Sequence, residues 1–209
     1  MSDGRSGRRQ RRKEERPGEI LEAAFEEFAL NGFAATRLDD VAARAGITKG
    51  TIYVYFPSKE ELFIATFKEM VRPMMEHIRA LTAAPEGSAL EILRTHFRFV
   101  YDRMVADRRG RELLRMLMAE AGRFPGLADR WHDEVIGPAI ETMRAVVRYG
   151  VARGEFRPTV AEVFPHLLFS PVLTASTWCS LFGDAHPLDL AGYYEAHLEM
   201  LARALCAEA

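Results

Sequence analysis

The chain has 209 residues, 48% of them hydrophobic and 28% charged, the composition of an ordinary soluble protein able to bury a core as one domain or two small ones. Its 28 Lys and Arg against 30 Asp and Glu leave a net charge of −2, which excludes a nucleic-acid binder working by overall basicity and confines any DNA-binding surface to a local patch. Two cysteines, Cys179 and Cys206, are too few and too far apart for a disulfide framework or a metal knuckle; they point to a reducing compartment, the cytosol, and read as small buried hydrophobes rather than redox sensors.

Residues 1–16 form a basic arm, with Arg5, Arg8, Arg9, Arg11, Arg12, Lys13 and Arg16 against Asp3, Glu14 and Glu15. Such an arm either lies along phosphates or in a minor groove, or is a disordered solvated tail. The segment that follows carries four glutamates and cannot serve as the apolar core of a secretory leader. Pro17 suits a first helical position, and Ile20, Leu21, Ala24, Phe25 and Phe28 make an apolar stripe ending at Asn31-Gly32. Thr36 with Asp39 has N-cap spacing for a short second helix from Leu38 to Ala45, stopped by Gly46. Thr48 caps a third, with Ile47 stapled to Ile52, and Phe56-Pro57 closes it. Ser58 and Glu61 open a long fourth helix, to about Leu81, carrying Leu62, Phe63, Phe67, Met70, Val71 and Met74.

After a break at Ala84-Pro85-Glu86-Gly87, Ser88 with Glu91 starts a helix that turns Leu90, Leu93, Phe97, Tyr101 and Met104 inward. A Met- and Leu-rich helix around Leu113 to Met118 follows, then a break at Gly122 to Gly126 and a long helix to about Gly154. Thr159 with Glu162 caps an apolar helix. Its core, Val163 to Gly183, has no Asp, Glu, Lys or Arg and is long enough to span a bilayer, but it is too polar and lacks basic anchors. It reads as a helix buried on most sides. Pro187 starts a last helix with Leu190, Tyr194, Leu198, Leu201 and Leu205 in register. The chain is all-α, with about nine helices, no internal repeat and no convincing strand pattern.

Two short helices about a turn at Gly46-Ile47 match a helix-turn-helix, whose second helix enters the major groove. On the wheel of Thr48 to Phe56, Ile52 and Phe56 face helices one and two, while Gly50 and Val54 face away. A glycine there costs helix stability, which makes sense if a phosphate or base edge must come close. Around it Lys49 offers a cation, Thr51 and Tyr53 hydroxyls, and Val54 an apolar contact for a thymine methyl. Tyr53 and Tyr55 can also be read as packing aromatics.

The run from Thr36 to Leu62, TRLDDVAARAGITKGTIYVYFPSKEEL, resembles the N-terminal domain of the tetracycline repressor (TetR) family in its Ala-Gly turn, its Gly50-x-x-Tyr53-x-Tyr55-Phe56 core and its Lys59-x-x-Leu62. The nine-helix plan fits the family over nearly the whole length. The resemblance implies a three-helix DNA-binding domain over 17–62 and a ligand-binding and dimerisation domain over 63–209. It also implies a homodimer in which two helices, here Thr159 to Phe182 and Pro187 to about Cys206, pair into a four-helix bundle, with a pocket in each C-terminal domain. It places DNA contacts, mostly to phosphates, at Thr36, Lys49, Gly50, Thr51, Tyr53, Val54, Tyr55 and Lys59, to which the capping Thr48 is added. Val54 departs from the polar or aromatic residue of many members, and Pro165 and Pro171 imply that the first bundle helix is kinked or starts late.

The expected function is a ligand-responsive repressor. Two reading helices about 34 Å apart bind a pseudo-palindromic operator, and an inducer in the pocket shifts helix four and favours a DNA-incompetent state. Candidate pocket walls are Phe97, Tyr101, Met104, Met116, Trp131, Met143, Phe169 and Trp178, since methionines and aromatics line adaptable apolar sites, and the ligand they suit is apolar or aromatic. Each alone also fits a core position. His132-Asp133-Glu134 and His77, His96, His166, His186 and His197 lack metal-ligand spacing and read as structural or surface residues; no cofactor or metal is expected. No Gly-rich phosphate loop, HExxH or nucleophile elbow supports an enzyme. An activator, or an architectural DNA binder without a working pocket, is the remaining alternative.

Overall fold

A computed structural model describes residues 4–83, 87–158 and 160–206. Its helices are α1 Gly4–Ala35, α2 Leu38–Arg44, α3 Lys49–Tyr55, α4 Lys59–Ala83, α5 Ala89–Val100, α6 Arg108–Glu120, α7 Pro125–Trp131, α8 Gly137–Ala152, α9 Val160–Val163, α10 His166–Phe182 and α11 Leu190–Leu205. Two π-helical turns interrupt the α pattern: Tyr101–Ala106 prolongs α5, and His132–Ile136 joins α7 to α8. The described regular structure is otherwise helical, apart from an isolated bridge between Phe156 and Cys206. The chain divides into two compact units, the first made of Met1–Met70 and Met116–Ala128, the second of Val71–Arg115 and Asp129–Ala209.

In the first unit, α1 packs on α2 and α2 on α3. The core is aromatic: Phe28, Phe33, Phe63 and Phe67 are almost wholly buried. Phe28 and Phe63 meet edge to face at 4.8 Å and Phe33 and Phe124 at 4.7 Å, while Phe63 and Phe67 lie tilted at 4.6 Å. Such pairs add about 0.5–1.5 kcal/mol each beyond their area. Near the end of α1, Gly32 leaves helical geometry at φ 73°. The Phe33 amide freed there donates to the Glu120 carboxylate at 3.0 Å, tying α1 to α6 across 87 positions.

Three expectations for this unit change. The first helix begins at Gly4 rather than Pro17, which lies inside it; an Arg-, Lys-, Glu- and Gln-rich run propagates a helix well, and Pro17 gives up a single ladder bond. The residues expected to form a disordered arm therefore lie, from Gly4 on, in α1; the side chains of residues 4–15 and all of Asp3 are outside the described part, and with them the arm's phosphate contacts. Thr36 does not cap α2: the N-cap is Arg37. The buried Thr36 hydroxyl instead donates to the carbonyls of Gly32 at 2.7 Å and Glu27 at 3.0 Å, because a hydroxyl removed from water needs partners. Phe56 is half-buried, so of the two anchors expected on α3 Ile52 alone is sealed.

In the second unit α5 packs on α8 and α11 around Leu93, Phe97, Val100, Met143, Val146, Leu168, Leu198 and Leu201. Ser88 and Glu91 form the full capping box read from their spacing. The helix expected after the break at Gly122 to Gly126 begins inside it, at Pro125, and runs through the second π turn to Ala152. The last helix starts at Leu190, three residues later than Pro187, because the Asp189 carboxylate accepts the Gly192 amide at 3.1 Å and caps it. The single helix expected from Thr159 is broken at Phe164-Pro165 into α9 and α10; Thr159 itself and the break at 84–86 lie outside the described residues. Nor is α10 buried on most sides. Leu168, Val172, Ala175 and Ser176 face inward, while Leu167, Leu173, Trp178, Leu181 and Phe182 are exposed. Its sequence, uncharged and apolar at inward and exposed positions alike, hid this two-sided placement.

Candidate nucleic-acid interface

The turn between α2 and α3 closes on a glycine in the left-handed region. Gly46 has φ 64°, its amide donates to Ala43 O at 3.2 Å, and the Ile47 amide reaches Ala42 O at 2.9 Å. This Schellman pair satisfies the last carbonyls of α2 and sends the chain directly into α3. Thr48 caps α3, its hydroxyl accepting the Thr51 amide at 3.3 Å and lying 3.0 Å from the Thr51 hydroxyl.

The reading helix is thereby held at its cap and by Ile52, which is 0% exposed, while its opposite side is open: Val54 is 78% exposed and Tyr53 48%. Lys49 and Gly50 are exposed as well, Thr51 and Tyr55 half-buried. A Cβ on Gly50 would meet nothing nearer than the Thr48 hydroxyl at 3.8 Å. The chain's own packing gives no reason for a glycine there.

Two of the expected contact residues are engaged inside the unit. Lys59 Nζ donates to the carbonyls of Phe33 at 2.8 Å, Ala34 at 3.1 Å and Thr36 at 3.2 Å, and lies 4.6 Å from the Phe33 ring centroid. Its three protons neutralise the C-terminal end of α1 rather than point outward. Thr36 is 3% exposed, with its hydroxyl already spent. Lys49 Nζ is 3.0 Å from Asp39 Oδ2, both side chains largely exposed, a weak solvent-screened pair. Asp39 escaped notice as a partner because the pair joins two helices and follows no i,i+4 spacing. Glu27 escaped as well: nearly buried, it accepts from Arg44 Nε at 2.6 Å and Asn31 Nδ2 at 3.0 Å, bracing α2 on α1.

The second unit contains an apolar cavity of about 190 Å³. Met104, Trp131 and Phe169, three of the expected wall residues, line it together with aliphatic residues that include Val71, Val100, Val135, Ile140 and Val172. Phe97 and Met143 are instead fully buried in the core, and Met116 is buried in the first unit. Tyr101 borders a separate cleft with Arg98 and Tyr194, its hydroxyl 3.2 Å from His197 Nδ1. Trp178 borders an open groove with Leu173 and Phe182. The Met-and-aromatic criterion missed the branched aliphatics, which carry no signal separating cavity wall from core. Both π turns reach the cavity, Tyr101–Ala106 through Met104 and His132–Ile136 through Val135 and Ile136. The freed Met104 carbonyl accepts the Ser176 hydroxyl at 3.1 Å. Among the described residues no group of three or more His, Cys, Asp or Glu could hold a metal, and no helix is long and apolar enough to cross a membrane.

Known proteins resemble the chain in both units. Residues 20–66 match the model for bacterial regulatory proteins of the tetR family, and residues 83–180 the model for the tetracyclin repressor-like C-terminal domain. The fatty acid metabolism regulator protein of Bacillus subtilis is 37% identical over 91 residues, 41% of this chain; the match spans 46% of that relative, less than half its length. SmeT, repressor of the Stenotrophomonas maltophilia multidrug efflux pump SmeDEF, superposes in its triclosan complex with a TM-score of 0.79 at 21% identity, over 92% of each chain. FadR from Bacillus subtilis with stearoyl-CoA gives 0.70 at 22% identity, over 89% of this chain and 97% of that one. With the two matches together covering most of its length, the chain belongs to the tetR family of bacterial regulatory proteins, a family of DNA-binding transcription regulators and not of enzymes.

Proposed function

We propose that this regulator is a homodimeric cytosolic repressor that grips a pseudo-palindromic operator through Lys49, Gly50, Thr51, Tyr53 and Val54 of each protomer, and lets go when an apolar small molecule occupies the cavity. The observation that carries the DNA-binding half is the bare outer side of α3, where Gly50 leaves room for a phosphate or base edge beside Lys49 and Tyr53. Residues 17–62 are the reader, and residues 63–209 serve ligand binding and dimerisation. The exposed apolar side of α10, with Met200 of α11 also exposed, supports pairing of two copies through these helices. SmeT with triclosan and FadR with stearoyl-CoA support a largely apolar effector. Helices α4 and α6 each supply residues to both units, and Val71, Met74 and Leu114 on them line the cavity, so a ligand there bears on helices that continue into the reader's unit.

A mobility-shift titration against a nuclease-mapped operator tests the reading. Lys49→Ala is expected to weaken binding about tenfold and to flatten the salt dependence by about one ion, as loss of a phosphate contact does, and Tyr53→Ala to weaken it by a similar factor. Unchanged affinity in both variants overturns the assignment.

A further inference from the structure

The second unit holds two neighbouring imidazoles, His96 buried and His77 half-buried, with ring nitrogens that its own packing leaves unsatisfied. His96 is 1% exposed, and neither of its ring nitrogens has a hydrogen-bond partner among the described residues; the same holds for the buried Nε2 of His77. The two rings lie nearly parallel, 16° apart, with centroids 6.4 Å from one another. Unpaired polar atoms of this kind destabilise a core that a Phe or Leu would fill at lower cost.

Their position connects them to the cavity. Met74 and Val100 line it, and His77 and His96 lie three and four residues away on the same sides of α4 and α5. Phe169, a wall residue, meets the His96 ring edge-on with centroids 6.1 Å apart. The polar side chains that line the wall itself differ from the pair behind it: the Ser176 hydroxyl is already bonded to Met104 O, and His166 is exposed. Burial, reinforced by the neighbouring His77, pushes His96 down to about 3, so this ring is neutral at ordinary pH and offers one N–H and one lone pair.

We infer that His77 and His96 form the polar end of the ligand site, reached past the Phe169 ring, and that they select apolar molecules carrying one hydroxyl-type group, a phenol or a carboxylic acid. An oxygen that bears a proton donates and accepts at once, which matches the unpaired ring nitrogens of His96 with the buried Nε2 of His77 beside them. The inference rests on the reading of the cavity as a ligand site.

The test titrates the full chain, followed by tryptophan fluorescence, with two probes of nearly equal shape, 4-tert-butylphenol and tert-butylbenzene. The phenol should bind about tenfold more tightly, the worth of one or two buried hydrogen bonds. His96→Phe should abolish that preference and leave the hydrocarbon's affinity unchanged, and His77→Phe should reduce it. Equal affinities in the wild type, or a preference that survives both substitutions, overturn the inference while leaving the cavity reading intact. Failure of both probes to bind overturns the cavity reading and the inference with it. Nitrogen-15 spectra of the wild type with labelled histidine need no variant to fold: the His96 ring signals should move with the phenol and stay with the hydrocarbon, and signals unmoved by either overturn the inference.

Discussion

Gly50 separates stability from function at a single residue. Open space around its Cα and its place inside α3 mean that Gly50→Ala should stabilise the fold by about 0.5–1 kcal/mol through helix propensity, while weakening operator binding by crowding the outer surface. Urea unfolding and a mobility shift on the same preparation check the two opposite signs; a variant that loses both would show the glycine to be structural. The buried histidines make a second residue-scale prediction. Burial holds His96 at about 3 and His197 at about 4, both below the ordinary 6.5. Between those values the unfolded chain binds more protons than the folded one, so their contribution is full above pH 6.5 and is lost as pH falls toward 4 and then 3. Unfolding free energy should drop by up to about 1.4 kcal/mol per pH unit for each ring over this range, and His96→Phe should halve that slope.

At the scale of elements, the helix-turn-helix was legible because each of its boundaries is a local chemical event: Thr48 caps, Gly46 turns left-handed, Ser58 accepts the Glu61 amide. What escaped were contacts set by tertiary placement. The Lys59 motif was readable, yet its ammonium turns onto the carbonyls ending α1, a choice made by the kink at Gly32 rather than by α4. Lys59→Met should therefore lower stability by about 1–2 kcal/mol and leave the salt slope of DNA binding unchanged, which unfolding and salt-dependent binding curves distinguish. The two π turns left no trace in the spacing of apolar residues, since each displaces the register by a single position. Their neighbours kept the cavity from being predicted residue by residue: Phe97 and Met104, seven apart on one expected stripe, end in the core and on the cavity wall.

At the scale of the whole molecule, the proposed pairing of two copies would double the few cations that one short α3 offers to duplex DNA. The exposed side chains on α10 set the expectation that dimerisation is hydrophobic. Leu181, 68% exposed, should tolerate Glu without loss of fold, yet Leu181→Glu should yield a monomer in sedimentation equilibrium and bind a full operator at least about tenfold more weakly. A variant that stays dimeric would move the interface elsewhere.

The π turns have one more consequence. Each holds one residue more than the α-helical turn it replaces, so removing a residue from Tyr101–Ala106 or His132–Ile136 lets the helix close as an ordinary α-helix, keeping what lies beyond in register and re-aiming the side chains of the turn itself. Met104 and Val135 would then face different neighbours with no side chain changed. Among sequences built on this plan, the shape of the cavity can diverge by the loss of one codon in either helix, a route that comparing residue types position by position does not register.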